Sequence, residues 1–143
     1  MALKAIPGAF SDALKALEYA ISKGAKVSSN SYGGNSRFNG FTNVLDNNPQ
    51  HIFVVAAGND DMELKGRFGF QQAPCSTTSS SNLLCVGSTS QEDERSGFSN
   101  YGTDHVHVFA PGSQIASCYN TNINSYKYLS GTRYILMIDF NHI

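Results

Sequence analysis

The sequence predicts an α/β protein built on a parallel sheet. Three apolar runs without polar alternation carry this prediction, at residues 52–57, 83–86 and 106–110. Such runs are typical of parallel strands, because both faces of a parallel sheet are covered. Each run ends at a glycine or at a Pro-Gly pair. Ligands of parallel sheets bind at the carboxyl ends of strands, so these turns are candidate binding positions.

Residues 11–24 form the clearest predicted helix. Ser11 is a suitable N-cap, and Gly24 is suited to the left-handed conformation that ends many helices. The apolar residues between them recur at helical spacing: Ala13, Ala16, Leu17, Ala20 and Ile21. A strand over residues 27–32 follows. Helices alternating with strands favour a parallel α/β sheet.

The composition limits the kinds of partner that the sequence predicts. The chain has 143 residues, which suits one domain, and we find no internal repeat or linker. A net charge of −1 with 15% charged residues gives no electrostatic footprint for nucleic acid. No apolar run approaches the length that spans a bilayer, and the first residues lack the apolar stretch of a signal peptide. We expect no nucleic-acid partner and no membrane segment.

The cysteines leave two alternatives open. Cys75, Cys85 and Cys118 lack the spacing of a metal site. Cys75 and Cys85 can pair in an oxidising compartment and leave Cys118 free, or both can be buried free thiols. No metal site is predicted from the sequence.

Several segments in the same order resemble the subtilisin-like serine protease family (peptidase S8). They are the Ser-Tyr-Gly-Gly end of residues 24–34, the Ala-Ala-Gly-Asn of residues 56–59, and residues 82–88, 96–102, 108–112 and 129–132. The resemblance implies a three-layer α/β fold, present here in incomplete form. Residues 1–132 would be the C-terminal part of a peptidase catalytic domain. Residues 133–143 resemble nothing in that family and form an apolar tail.

The resemblance also implies roles for individual residues. Peptide acyl transfer creates an oxyanion that needs fixed hydrogen-bond donors, and Asn59 matches the family's side-chain donor. Ser31, Tyr32 and Gly33 match the segment that lies alongside the substrate backbone, where glycine permits close approach. Ala57 and Gly58 match a pocket wall. Without the resemblance, the same residues read as ordinary turns after strands.

The catalytic triad is missing from the sequence. Arg133 stands where the family has its nucleophilic serine, after Gly131 and Thr132. The aspartate and histidine motifs of the family do not occur. The histidines of the chain lack the expected flanking residues: His51, His105, His107 and His142. We therefore predict that the chain as written is catalytically inactive.

Three classes of function remain. The chain is a fragment of a subtilisin-like endopeptidase, a non-catalytic pseudoprotease that binds peptides or modulates an active relative, or an unrelated α/β binding domain. The expected partner is a polypeptide substrate or an inhibitor segment. By resemblance, calcium is a possible ligand without an identified site, and the compartment is secreted or vesicular. Cleavage specificity and folding in isolation stay open.

Overall fold

The structure is a computed structural model that describes residues 10–34, 39–65, 71–77, 80–118 and 126–132. Its centre is a parallel sheet in the order β1-β2-β3-β4. These strands are β1 (Val27–Asn30), β2 (Ile52–Ala56), β3 (Leu83–Thr89) and β4 (Val108–Pro111). The predicted parallel α/β sheet is confirmed. Among the described strands, β1 and β4 lie at the two edges.

Helices α1 (Phe10–Ser22) and α2 (Asn39–Asp46) both pack on one face of this sheet. Side chains of β2 alternate between the faces, as in any strand. Phe53 and Val55 are fully buried and pack with Leu17 of α1 and with the apolar side of α2, which buries Phe41, Val44 and Leu45. The opposite face carries a smaller cluster of Val54, Ala56 and Val86.

The end of α1 follows the prediction. Gly24 has a positive φ of 87°. Its N–H donates to the carbonyl of Ile21 at 2.8 Å, and the N–H of Ala25 donates to the carbonyl of Ala20 at 3.1 Å. These bonds satisfy carbonyls that a helix end leaves without partners. Ser11 lies within the helix, one residue after its first described residue, and not before it as predicted.

Other bounds differ from the prediction. Strand β4 begins two residues later than expected, because the N–H of Val106 donates to the carbonyl of Gly102 in a turn. Strand β3 extends three residues further, to Thr89. Helix α2 and an antiparallel pair, β5 (Ile115–Cys118) and β6 (Tyr126–Leu129), were not predicted. The predicted tail, residues 133–143, lies outside the described residues.

The structure decides between the two cysteine alternatives. Cys75 and Cys85 form a disulfide, and both are almost completely buried in the main core. The bond ties the segment before β3 to the middle of that strand. In the described part of the chain, no helix is long and apolar enough to cross a membrane.

Candidate oxyanion and peptide-binding site

The site lies at the carboxyl edge of the sheet, where β1 and β2 both end. Because these neighbours are parallel, the residues that follow them emerge on the same side: 31–33 after β1 and 57–59 after β2. A third segment joins them from far along the chain. The backbone N–H and the hydroxyl of Thr132 both donate to Asn59 Oδ1, each at 2.9 Å. The structure therefore brings together Asn59 and the residue before position 133.

The hydrogen bonds fix the orientation of the Asn59 amide. A backbone N–H is only a donor, so the atom that faces Thr132 is the carbonyl oxygen and not the NH2 group. The planar amide then has its acceptor at Thr132 and its two N–H donors at the other end. Thr132 is completely buried, whereas Asn59 is exposed. A ligand at the surface can therefore approach this side chain.

The Thr132 segment is held independently of Asn59. The N–H of Gly131 donates to the carbonyl of Gly112 at 2.8 Å, and the N–H of Gln114 donates to the Ser130 hydroxyl at 2.9 Å. Both contacts anchor the end of β6 to the turn after β4. The two halves of the site are thus fixed by the sheet on one side and by this turn on the other.

The pocket-wall candidates occupy the turn directly after β2. Ala57 is fully buried, and its N–H donates to the carbonyl of Val86 at 2.9 Å. Gly58 has a φ of 99°, a conformation that favours glycine. A Cβ at Gly58 would come within 3.0 Å of Gln72 Cδ, and one at Gly33 within 2.7 Å of Gln72 Nε2. Gln72 therefore packs between the two predicted peptide-binding segments, and no sequence signal identified it.

Gly33 has a structural reason to be glycine. The carbonyl of Ala73 occupies the space that a Cβ at Gly33 would need. Next to it, Gly34 and Ala73 exchange backbone hydrogen bonds of 3.2 and 2.8 Å. Packing within the chain already requires a glycine at this position. Approach of a peptide to Gly33 stays a prediction.

Tyr32 points its hydroxyl into the protein. The hydroxyl donates to Asn30 Oδ1 at 2.8 Å, and Asn30 Nδ2 donates to the carbonyl of Val54 at 3.1 Å. The ring packs edge-to-face against Phe10 and Phe41. Burial raises the pKa of Tyr32 to about 12. The side chain belongs to the core, so a peptide contact of this residue would have to use its backbone. Ser31 beside it is half-buried.

Asn100 is a site residue that the sequence analysis did not single out. Its side chain is completely buried and contacts the turn that carries Asn59. Its contacts are with Ala57 O at 2.9 Å, Asp60 Oδ2 at 3.1 Å, and the N–H groups of Asp60 and Met62 at 3.0 Å each. In the sequence, Asn100 lies within residues 96–102, which resemble the family. That resemblance assigned no role to this position.

The histidines are remote from this edge. His51 immediately precedes β2 and His107 immediately precedes β4, so both lie at the amino edge of the sheet. His51 is buried against Phe53, with Nδ1 2.9 Å from the carbonyl of Ala25. His107 is exposed, and its Nδ1 accepts the N–H of Cys85 at 2.9 Å. Neither lies beside Asn59 or Thr132 at the carboxyl edge, and His142 lies outside the described residues.

A metal site is also absent from the described segments. Within them, no three or more His, Cys, Asp or Glu side chains lie close enough together to hold a metal ion. The carboxyl edge is a hydrogen-bonded arrangement around Asn59 and Thr132. It offers an oriented amide donor, backbone at a strand end and a small-residue wall, as in sites that stabilise negative charge on oxygen.

Comparisons with known proteins identify the class. Residues 4–133 match the profile of the Subtilase family, Peptidase S8. The chain is 37% identical over 127 residues to thermitase of Thermoactinomyces vulgaris and 35% identical over 127 residues to the thermophilic serine proteinase of Bacillus sp. (strain AK1). Each match covers 87% of this chain. The chain belongs to the subtilase family of serine proteases.

Solved structures agree with this fold. The Prenylagaramide maturation protease PagA superposes with a TM-score of 0.73 at 22% identity, over 95% of this chain and 48% of that one. The self-cleaved protease domain of PatA gives a TM-score of 0.70 at 22% identity, over 87% of this chain and 46% of its own. The chain spans 41% of thermitase and 29% of the Bacillus proteinase. It thus corresponds to less than half of each of these proteins.

Proposed function

We propose that this chain carries the oxyanion and peptide-binding part of a subtilisin-like serine endopeptidase, and that the chain as written does not cleave peptides. The full-length family member would hydrolyse peptide bonds through an acyl-enzyme. The observation that supports this most is the pair of hydrogen bonds between Asn59 and Thr132. They place an amide donor beside the residue that precedes the family's nucleophile position.

The chemistry of acyl transfer explains why such a donor matters. Attack on a peptide carbonyl turns its oxygen into an oxyanion, and a fixed N–H aimed at that oxygen stabilises the transition state more than the substrate. Removal of one such donor typically lowers kcat by about 10²–10³. Asn59 supplies a donor of this type, and Ser31–Gly33 together with Ala57 and Gly58 would line the peptide.

Inactivity follows from Arg133. A serine nucleophile needs an oxygen lone pair and a histidine base that accepts its proton. A guanidinium has five N–H donors, no acceptor and no accessible deprotonated form in proteins. The described histidines lie at or before the amino edge of the sheet, so none replaces the missing base. Peptide binding without cleavage is the function that these residues retain.

A second candidate is a dedicated non-catalytic role, in which the chain binds a peptide or an inhibitor segment or modulates an active relative. It is favoured by the intact contact between Asn59 and Thr132 in a chain without a nucleophile. The codon at position 133 separates the two candidates. If an intron begins with GT after the first two bases of a serine codon (AGC or AGT), the unspliced transcript reads AGG-TAT. These two codons encode Arg133-Tyr134. Sequencing the transcript distinguishes them. A spliced Ser-Met-Ala frame would support the fragment, and the Arg133 frame alone would support the dedicated non-catalytic role.

The decisive experiment measures labelling and binding on the same protein. A fluorophosphonate probe and a fluorogenic peptide should give no signal with the 143-residue chain. Acetyl-tetra-alanine carboxylate, titrated by NMR, should shift signals of residues 31–33 and 57–59. Asn59→Asp is the matched variant, because it keeps an acceptor for Thr132 and replaces the donor by a carboxylate oxygen that repels the peptide carboxylate. Binding that is equal in wild type and Asn59→Asp, or turnover by wild type, would contradict the proposal.

A further inference from the structure

Asn100 uses both ends of its amide on one short turn. Nδ2 donates to the carbonyl of Ala57 at 2.9 Å and to Asp60 Oδ2 at 3.1 Å. Oδ1 accepts the N–H groups of Asp60 and Met62, both at 3.0 Å. The backbone N–H of Asn100 adds a bond of 3.1 Å to the carbonyl of Gly58. Asn59 is the residue that these contacts enclose.

Asn100 and this turn are closely packed. A Cβ on Gly58 would collide with Asn100 Nδ2. Asp61, with a positive φ of 52°, donates its N–H to the carbonyl of Phe98 at 2.9 Å. Hydrogen bonds from residues 98–100 therefore hold the turn after β2 in place. The backbone path of the turn, and hence the position from which the Asn59 side chain extends, depends on these hydrogen bonds.

We propose that Asn100 is a positioning residue for the Asn59 donor. Asn59 Oδ1 must lie 2.9 Å from two atoms of Thr132, a residue 73 positions away in the chain. Without the Asn100 amide, the N–H groups of Asp60 and Met62 lose their buried acceptor. The turn would then move to find new partners, because unpaired buried polar groups are costly. A shift of the turn carries Asn59 away from Thr132. The inference rests on the proposed role of Asn59.

A purely structural role for Asn100 is the alternative, and the chain contains a matched control. Asn82 is also a buried asparagine that satisfies loop backbone, since its Nδ2 lies 3.0 Å from the carbonyl of Asn48 and 3.3 Å from that of Leu45. It precedes β3 and so lies at the amino edge, away from Asn59. Asn82→Ala removes a comparable set of bonds without touching the site.

The readout is amide hydrogen exchange in the ligand-free chain. The Thr132 N–H is protected by Asn59, whereas the adjacent Gly131 N–H is protected by the carbonyl of Gly112. We divide the exchange rate of the Thr132 N–H by that of the Gly131 N–H. This ratio reports the bond to Asn59 separately from the overall stability of the fold. Asn100→Ala should raise this ratio about tenfold, since local opening replaces a fixed bond. Asn82→Ala should leave it unchanged at a similar loss of melting temperature.

A second variant covers a failure of Asn100→Ala to fold. Asp60→Ala leaves the Asn100 amide in place and removes only the exposed carboxylate that accepts from Asn100 Nδ2, so its ratio should rise by less than that of Asn100→Ala. An unchanged ratio in both variants, or an equal rise in Asn82→Ala, overturns the positioning role. The tetrapeptide titration tests the proposed function separately. If wild type does not bind the peptide, the proposed function fails, while the exchange ratio still decides the role of Asn100.

Discussion

The hydroxyls of Ser96 and Ser113 share a hydrogen bond of 2.7 Å that joins two loops of the site. Ser96 is buried and also contacts the Ser88 hydroxyl at 2.8 Å. On the other side, Ser113 lies in the turn whose Gly112 carbonyl accepts the N–H of Gly131. This chain of hydroxyls connects the segment before Asn100 with the segment before Thr132.

Removal of the central hydroxyl should therefore destabilise the fold. Ser96→Ala leaves the hydroxyls of Ser88 and Ser113 without a shared partner, and we expect a loss of about 1–2 kcal/mol in the free energy of unfolding. Urea unfolding measures it. Ser90→Ala is the control, because its hydroxyl accepts only the N–H of Glu92 in an exposed turn. Equal stability of the two variants would show that the buried hydroxyls contribute nothing.

Alanine substitutions at three glycines should separate backbone strain from steric overlap. Gly97 has open space and an ordinary φ, Gly24 has open space and a φ of 87°, and Gly58 has a φ of 99° with neighbours in the way. We expect losses within about 0.5 kcal/mol for Gly97→Ala, about 1 kcal/mol for Gly24→Ala and about 3 kcal/mol for Gly58→Ala. Urea midpoints test the order, and a different order contradicts the close packing at Gly58.

The buried hydroxyl of Tyr32 should make stability fall at high pH. Its pKa is about 12 in the folded protein, against 10.0 for an exposed tyrosine. The folded state therefore holds this proton more tightly, so the stabilisation is complete below pH 10 and is lost as the pH rises from 10 to 12. A shift of this size corresponds to about 3 kcal/mol.

Tyr32→Phe provides the comparison. The variant should be less stable at neutral pH, because Asn30 Oδ1 loses its donor. It should also lose less stability than wild type between pH 10 and 12. Urea unfolding at each pH gives both curves. Parallel curves for the two proteins would mean that Tyr32 ionises as easily in the folded as in the unfolded chain.

The disulfide predicts both a thiol count and a stability change. With Cys75 and Cys85 joined, one thiol per chain should react under non-reducing denaturing conditions and three after reduction. Closing a loop of this length contributes about 3 kcal/mol in the chain-entropy account. The double variant Cys75→Ala/Cys85→Ala should lower the melting temperature, whereas Cys118→Ser should lower the number of reactive thiols without reductant from one to none. Three reactive thiols without reductant would contradict the pairing.

The sequence predicted the core of the sheet well, since residues 52–56 and 83–86 are continuous apolar runs of strand length that end at glycine turns. It missed α2, in which only three residues face the core, and the antiparallel pair, in which Tyr126 and Tyr128 are 72% exposed. Short elements with few buried residues leave little periodicity to detect.

At the site, the sequence indicated Asn59 through its flanking residues, placed Asn100 in a family-like segment without a role, and gave no signal for Gln72. Both act through contacts with residues distant in the chain, and spacing along a sequence does not report such contacts. The polar run of residues 76–82 has the composition of a solvated loop, yet Ser76 and Asn82 in it are buried. Their hydroxyl and amide groups satisfy loop backbone, a use that polar composition alone cannot distinguish from solvation.

The Asn59 amide is held by Thr132, a residue of the same chain. Its side chain therefore has no rotamers left to lose when an oxygen atom arrives at the donor end. Ordering a free side chain on binding costs about 0.5–1.5 kcal/mol, and this cost has been met during folding. Affinity for a ligand oxygen should accordingly show a small entropic penalty from Asn59, whichever oxygen-bearing group the rest of the site selects.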